Sequence, residues 1–165
     1  MQKRILSLLV GNTAGVLSRI SGLFSRRGYN IDSLSVGETA DHKYSRMTVV
    51  CSGDELILEQ ITRQLAKLVD VLDIKVLEPD ESVNRELVLV KVAATPTQRE
   101  GIISIAKIFR AKIVDVSKDS LVIEMTGTQN KLGAFIHLLD DYEILEIART
   151  GVTGLSRGAE DVMFL

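Results

Sequence analysis

The sequence predicts an α+β chain of two consecutive βαββαβ modules, each an antiparallel sheet with helices packed on one face. Three observations carry that expectation. Apolar residues switch between a period of two and a helical period in the order strand, helix, strand, strand, helix, strand. The same order returns after a polar stretch, 78–84, that contains Pro79. The chain has 165 residues, 45% hydrophobic and 25% charged. That is room for two modules of about 80 residues with real cores, each small enough to need support from a neighbour.

The elements follow in order. Residues 4–10 form an apolar run that Gly11-Asn12 ends, as a buried strand would. Val16, Leu17, Ile20, Leu23 and Phe24 recur at helical spacing, in a helix that starts near residues 13–15 and stops at Gly28. Arg26 and Arg27 lie in its last turn, where cations complement the helix dipole, and glycine suits the left-handed cap. Residues 30–36 alternate, 37–42 read as a loop and 46–51 as a third strand. Leu58, Ile61, Leu65 and Leu68 mark a second helix after Gly53-Asp54, and 71–77 a fourth strand. In the second module, 86–93, 112–116, 121–125 and 142–147 read as strands. Ile102, Ile105, Ala106 and Phe109 form one helical stripe there, and Leu132, Phe135, Ile136 and Leu139 another. Thr95-Pro96 reads as a helix start with proline at the first helical position. The correspondence is closest at Gly53 and Gly127, each of which ends a β-rich run and opens a helix. The expected organisation is a first module over 1–78, a linker over 79–84, and a second module over 85–165 with an irregular tail. Within that tail, 150–165 carries Gly151, Gly154 and Gly158 with little periodicity and reads as partly mobile or frayed.

Composition narrows the function classes. A net charge of −2 gives no field to attract nucleic acid or anionic lipid. RNA-recognition modules share the strand order but stack bases on aromatic residues of the central strands. Residues 5–10 and 46–51 carry no aromatic side chain. With both modules assigned, no segment is left for a helix-turn-helix. No apolar run approaches the ~18 residues that span a membrane. Cys51, the single cysteine, excludes an internal disulfide and fits a reducing, cytoplasmic setting. It reads as a small buried hydrophobe. His42 and His137 stand in no metal-ligand spacing with each other or with Cys51 and read as surface or structural residues. Asp140-Asp141 fall far short of a calcium loop. The chain is therefore expected to hold no catalytic residues, metal or cofactor.

What remains is the first strand-to-helix turn, Gly11-Asn12-Thr13-Ala14-Gly15-Val16-Leu17. Free backbone N–H groups and the positive end of the dipole at a helix start suit a carboxylate. Gly15 allows close approach of a ligand to the backbone. Asn12 can donate to a carboxylate or accept from an ammonium. A plain helix cap with a glycine for clearance is the other reading of the same residues.

Further along, Arg4-Ile-Leu-Ser-Leu8, Asn12-x-x-Gly15-Val-Leu-Ser-Arg19, Gly22-Leu-Phe-Ser-Arg-Arg-Gly-Tyr-Asn-Ile31, Ser33-Leu-Ser-Val36, Ser45-Arg-Met-Thr48 and Ala148-Arg-Thr-Gly-Val-Thr-Gly-Leu-Ser-Arg-Gly158 closely resemble the small regulatory subunits of acetolactate synthase (acetohydroxyacid synthase). The resemblance covers nearly the whole chain. It implies that the first module is an ACT domain, an amino-acid-sensing version of the ferredoxin-like fold, and that both modules are ferredoxin-like. It implies a non-catalytic partner of a large subunit that uses thiamine diphosphate, magnesium and FAD. Such a partner activates that subunit and confers feedback inhibition by valine or a related branched-chain amino acid. It further implies a homodimer through the ACT domain, with the effector held where two chains meet. Asn12, Gly15, Val16 and Leu17 match one side of that site, Asn30 and Ile31 the side given by the neighbouring chain, and Gly37 a small residue near the pocket. The second module has no Asn-x-x-Gly at its helix start, so no amino-acid site is expected there. A free-standing amino-acid sensor acting on another target is the alternative.

Overall fold

A computed structural model describes residues 1–159. By their internal contacts these residues divide into Met1–Asn84 with 152–159, and Arg85–Gly151. The first unit runs β1 (Gln2–Gly11), α1 (Val16–Arg26), β2 (Ile31–Glu38), β3 (Tyr44–Gly53), α2 (Glu55–Ala66) and β4 (Val71–Val76). Its sheet has the order β2-β3-β1-β4, and every neighbouring pair is antiparallel. Leu6 stands opposite Val49 and Leu8 opposite Met47. Directly opposed residues share a face, so this register collects one apolar face. Val16, Ile20, Leu23 and Phe24 of α1 and Leu58, Ile61 and Leu65 of α2 close over it in one buried cluster. The helix starts differ. Asp54 caps α2 by accepting from the Ile57 N–H at 2.8 Å, whereas α1 begins after Gly15 with no side-chain cap.

The second unit repeats the plan with β5 (Ser82–Ala93, of which 82–84 belong to the first unit), α3 (Arg99–Ile108), β6 (Lys112–Val116), β7 (Ser120–Gly127), α4 (Gln129–Leu138) and β8 (Ile144–Arg149). Its strands are ordered β6-β7-β5-β8. Val88, Val90 and Val92 oppose Met125, Ile123 and Leu121, and Ile102, Ala106, Leu132, Phe135 and Leu139 complete the core. The fold is thus the expected α+β pair of ferredoxin-like βαββαβ modules.

Several details differ from expectation. The stretch 79–84 is structured: Pro79–Glu81 form a 3-10 turn and Ser82 already begins β5. Strand β2 runs through Gly37 to Glu38, because β3 continues to pair with it as far as Ser45. Thr95 O accepts from Gln98 N–H at 3.0 Å and from Arg99 N–H at 3.1 Å, so the chain turns into the helix at Thr95-Pro96, and regular α3 follows from Arg99. The largest difference is the tail. Thr153–Ser156 form a strand, β9. Residues 152–159 group by contacts with the first unit, whereas the sequence reading placed them after the second module. Val152 donates from N–H to Ser33 Oγ and accepts at its carbonyl from Ser35 Oγ, both at 2.8 Å. Gly154 N–H donates to Thr48 Oγ1 at 3.2 Å. Thr48 opposes Ser7 in the register, so β9 crosses the sheet face opposite the helices. Residues 160–165 of the expected mobile tail lie outside the described residues.

Candidate functional site

The turn from β1 into α1 is held on two sides. Gly11 N–H donates to Asp70 O at 3.0 Å, and Asn12 N–H to Lys43 O at 2.8 Å. Gly15 takes φ 87°, ψ −8° as the residue before the helix, a left-handed geometry that favours glycine. Val16 turns into the core while Leu17 is half exposed. A Cβ on Gly15 would lie 2.8 Å from Arg19 Nη1, so a guanidinium stands beside the uncapped helix start. Arg19 is itself fixed by Asp70, with Nε to Oδ2 at 2.6 Å and Nη2 to Oδ1 at 3.0 Å. That fork-like pairing holds the Asp70 carboxyl below its ordinary value and raises Arg19. Nη1 is left on the glycine side. Backbone N–H groups and a fixed cation on one turn form a place where a carboxylate can sit.

Asn12 is engaged as well. Its Nδ2 donates to Glu38 Oε1 at 3.1 Å and to the His42 carbonyl at 2.9 Å. His42 Nδ1 lies 2.8 Å from Glu38 Oε2. Pairing with Glu38 raises the imidazole, and the bonds from His42 and then Asn12 lower the Glu38 carboxyl.

Asn30 and Ile31 are not brought to this turn. Asn30 donates to Asp32 Oδ1 at 2.7 Å, and Ile31 pairs with Cys51. Glu38, beside Asn12, pairs with Ser45 at the other end of β2. The two ends of that strand are roughly 20 Å apart at the usual rise per residue. Strand β2 is an edge of the sheet. Gly37 faces open space, with nothing within 4 Å of where its Cβ would be.

Sequence reasoning missed Arg19, Asp70, Glu38 and His42 as members of this neighbourhood. Arg19 had a readable signal, since it stands one helical turn after Gly15. Glu38 had none, because its link to Asn12 depends on the closure of β2 and β3. His42 and His137 are exposed and paired with Glu38 and Asp140. Cys51 is buried, and burial pushes its thiol up to about 11. Among the described residues, no group of three or more His, Cys, Asp or Glu side chains is placed to hold a metal ion, and no helix is long and apolar enough to cross a membrane.

The unit that carries this turn is of a kind known in other proteins. A family model described as the AHAS small subunit-like ACT domain matches residues 6–73. A second, described as the small subunit of acetolactate synthase, matches residues 85–158. The acetolactate synthase small subunit of Mycolicibacterium smegmatis is 53% identical over 157 residues, 95% of this chain and 92% of that protein. The isozyme 3 small subunit of Salmonella typhimurium is 50% identical over 157 residues, 94% of this chain and 96% of that one. The crystal structure of the small subunit from Thermotoga maritima superposes with a TM-score of 0.88 at 38% identity, covering 96% of this chain and 99% of that chain. The first unit is an ACT domain, and the chain belongs to the family of acetolactate synthase small subunits.

Proposed function

We propose that this chain is the non-catalytic regulatory subunit of a cytoplasmic acetolactate synthase. In this reading it activates a large subunit that carries the thiamine diphosphate, magnesium and FAD. It also transmits feedback inhibition by valine, or a related branched-chain amino acid, bound between the ACT domains of two copies. Family membership supports the coarse assignment. The observation that supports the site is that Asn12 meets the Glu38 end of edge strand β2, whereas Asn30 precedes its Ile31 end. One chain cannot close both residues on one small ligand. An unprotected edge pairs readily with another chain. Two-fold antiparallel pairing of β2 with its copy sets the Asn30 end of one chain beside the Asn12 end of the other. The effector's carboxylate then meets the start of α1 beside Arg19, and its ammonium lies within reach of the asparagine side chains. A ligand gripped from both chains responds to their relative position, which is what an allosteric input requires.

Calorimetry of valine binding tests this directly. Asn12→Ala and Asn30→Ala should each weaken valine about ten- to a hundredfold, the effect of losing a hydrogen bond to a charged group. Activation of the large subunit in a pyruvate-condensation assay should persist in both variants. In a mixed dimer of one Asn12→Ala chain and one Asn30→Ala chain, one composite site carries both defects and the other neither. Such a dimer should bind one valine at near-native affinity. If it binds none, or if both single variants keep native affinity, the cross-chain site is refuted.

A further inference from the structure

We infer that Glu38 is a positioning residue for the effector, acting through Asn12; the inference rests on the valine site proposed above. A free asparagine amide at a solvent-exposed turn can rotate, and either its oxygen or its nitrogen can face a ligand. Here both N–H donors of Asn12 are spent, one on Glu38 Oε1 at 3.1 Å and one on the His42 carbonyl at 2.9 Å. The second carboxylate oxygen of Glu38 is held in turn by His42 Nδ1 at 2.8 Å. Strand β2 and the turn that follows it thus lock the amide in one orientation. Among the described residues Oδ1 is the atom of that amide with no partner, and it can only accept. The locked asparagine is therefore a receptor for an ammonium group and not for a carboxylate. The carboxylate is left to the start of α1, where Arg19 Nη1 stands beside Gly15. Glu38 sets which end of the amino acid each half of the turn receives, and it does so by accepting a hydrogen bond from Asn12.

Calorimetric titration of valine into the full chain tests this with four variants. Glu38→Ala should weaken valine about fivefold, since the lost bond is exposed to solvent. Glu38→Gln keeps an acceptor for Asn12 and should return affinity to within about twofold of native. Asn12→Ala combined with Glu38→Ala should bind no more weakly than Asn12→Ala alone, because the glutamate acts only through the asparagine. Native affinity in Glu38→Ala, multiplied losses in the double variant, or Glu38→Gln as weak as Glu38→Ala would each overturn the inference. The last of these outcomes would mean that the charge of Glu38 contacts the ligand directly. If Asn12→Ala itself keeps native affinity, the proposed site fails and this inference fails with it. If Asn12→Ala loses affinity and Glu38→Ala does not, the inference alone fails. Equal melting temperatures across the variants separate these effects from loss of fold.

Discussion

Gly154→Ala perturbs the contact between β9 and the sheet with a single methyl group. A Cβ at Gly154 would collide with the Asn84 side-chain oxygen and lie 2.8 Å from Leu77 Cδ1. The chain can respond in two ways. If β9 lifts away, it gives up the bonds of Val152 to Ser33 and Ser35 and that of Gly154 to Thr48. Three neutral hydrogen bonds at about 0.5–1.5 kcal/mol each make roughly 1.5–4.5 kcal/mol. Val152 is 1% exposed, and exposing a valine costs about 1.5–3 kcal/mol more. If β9 stays and its neighbours shift, the cost is that of overpacking, about 1–3 kcal/mol. Staying is cheaper, so Gly154→Ala should keep the tail docked and destabilise the first unit by the smaller amount. For a unit of this size that lowers the melting temperature by about 4–24 °C. Thermal unfolding followed by circular dichroism measures the shift, and amide hydrogen exchange at Val152 reports whether the tail remains in place. A melting temperature within about 1 °C of native, together with an unprotected Val152 amide in the native chain, would refute the docking.

Two further outcomes follow from the same geometry. Gly133 lies mid-helix in α4 with nothing within 4 Å of a Cβ, so Gly133→Ala should gain about 0.8–1 kcal/mol of helix propensity. Gly101→Ala in α3 should destabilise, because its Cβ meets the Tyr142 hydroxyl; equal melting shifts for the two variants would refute the packing argument. For His42, the sign follows from the proton. Its folded value is raised above 6.5 by Glu38, so the histidine's contribution is complete below 6.5 and is lost as pH rises through the folded value. Glu38 is lowered below 4.5 by the same contact, so its contribution is present above 4.5 and is lost as pH falls through the folded value. An NMR titration should place the His42 midpoint above 6.5 and return it toward that value in Glu38→Gln. An unchanged midpoint in the variant would remove the pair.

Local patterns in the sequence marked out the elements. Residues 4–10 are an apolar run that Gly11-Asn12 ends, while Ile20, Leu23 and Phe24 recur at helical spacing. These signals are local, since each is set by neighbours two to four positions away. Gly15 and Asn12 were legible for the same reason, as a helix start followed by a glycine. The family resemblance added Asn30 and Ile31 as the expected side given by a neighbouring chain, which no local pattern in the sequence shows.

Which distant groups meet depends on the folding of the whole sheet. Val152 and Gly154 carry no periodic signal, because backbone N–H and C=O groups fix them to hydroxyls of Ser33, Ser35 and Thr48 more than a hundred positions earlier. Glu38 and His42 reach Asn12 only when β2 and β3 close beside β1, and Asp70 reaches Arg19 only when β4 lies on the other side. Periodicity says which way a side chain faces. Register and strand order say what it faces, and those are settled by the packing of the whole sheet.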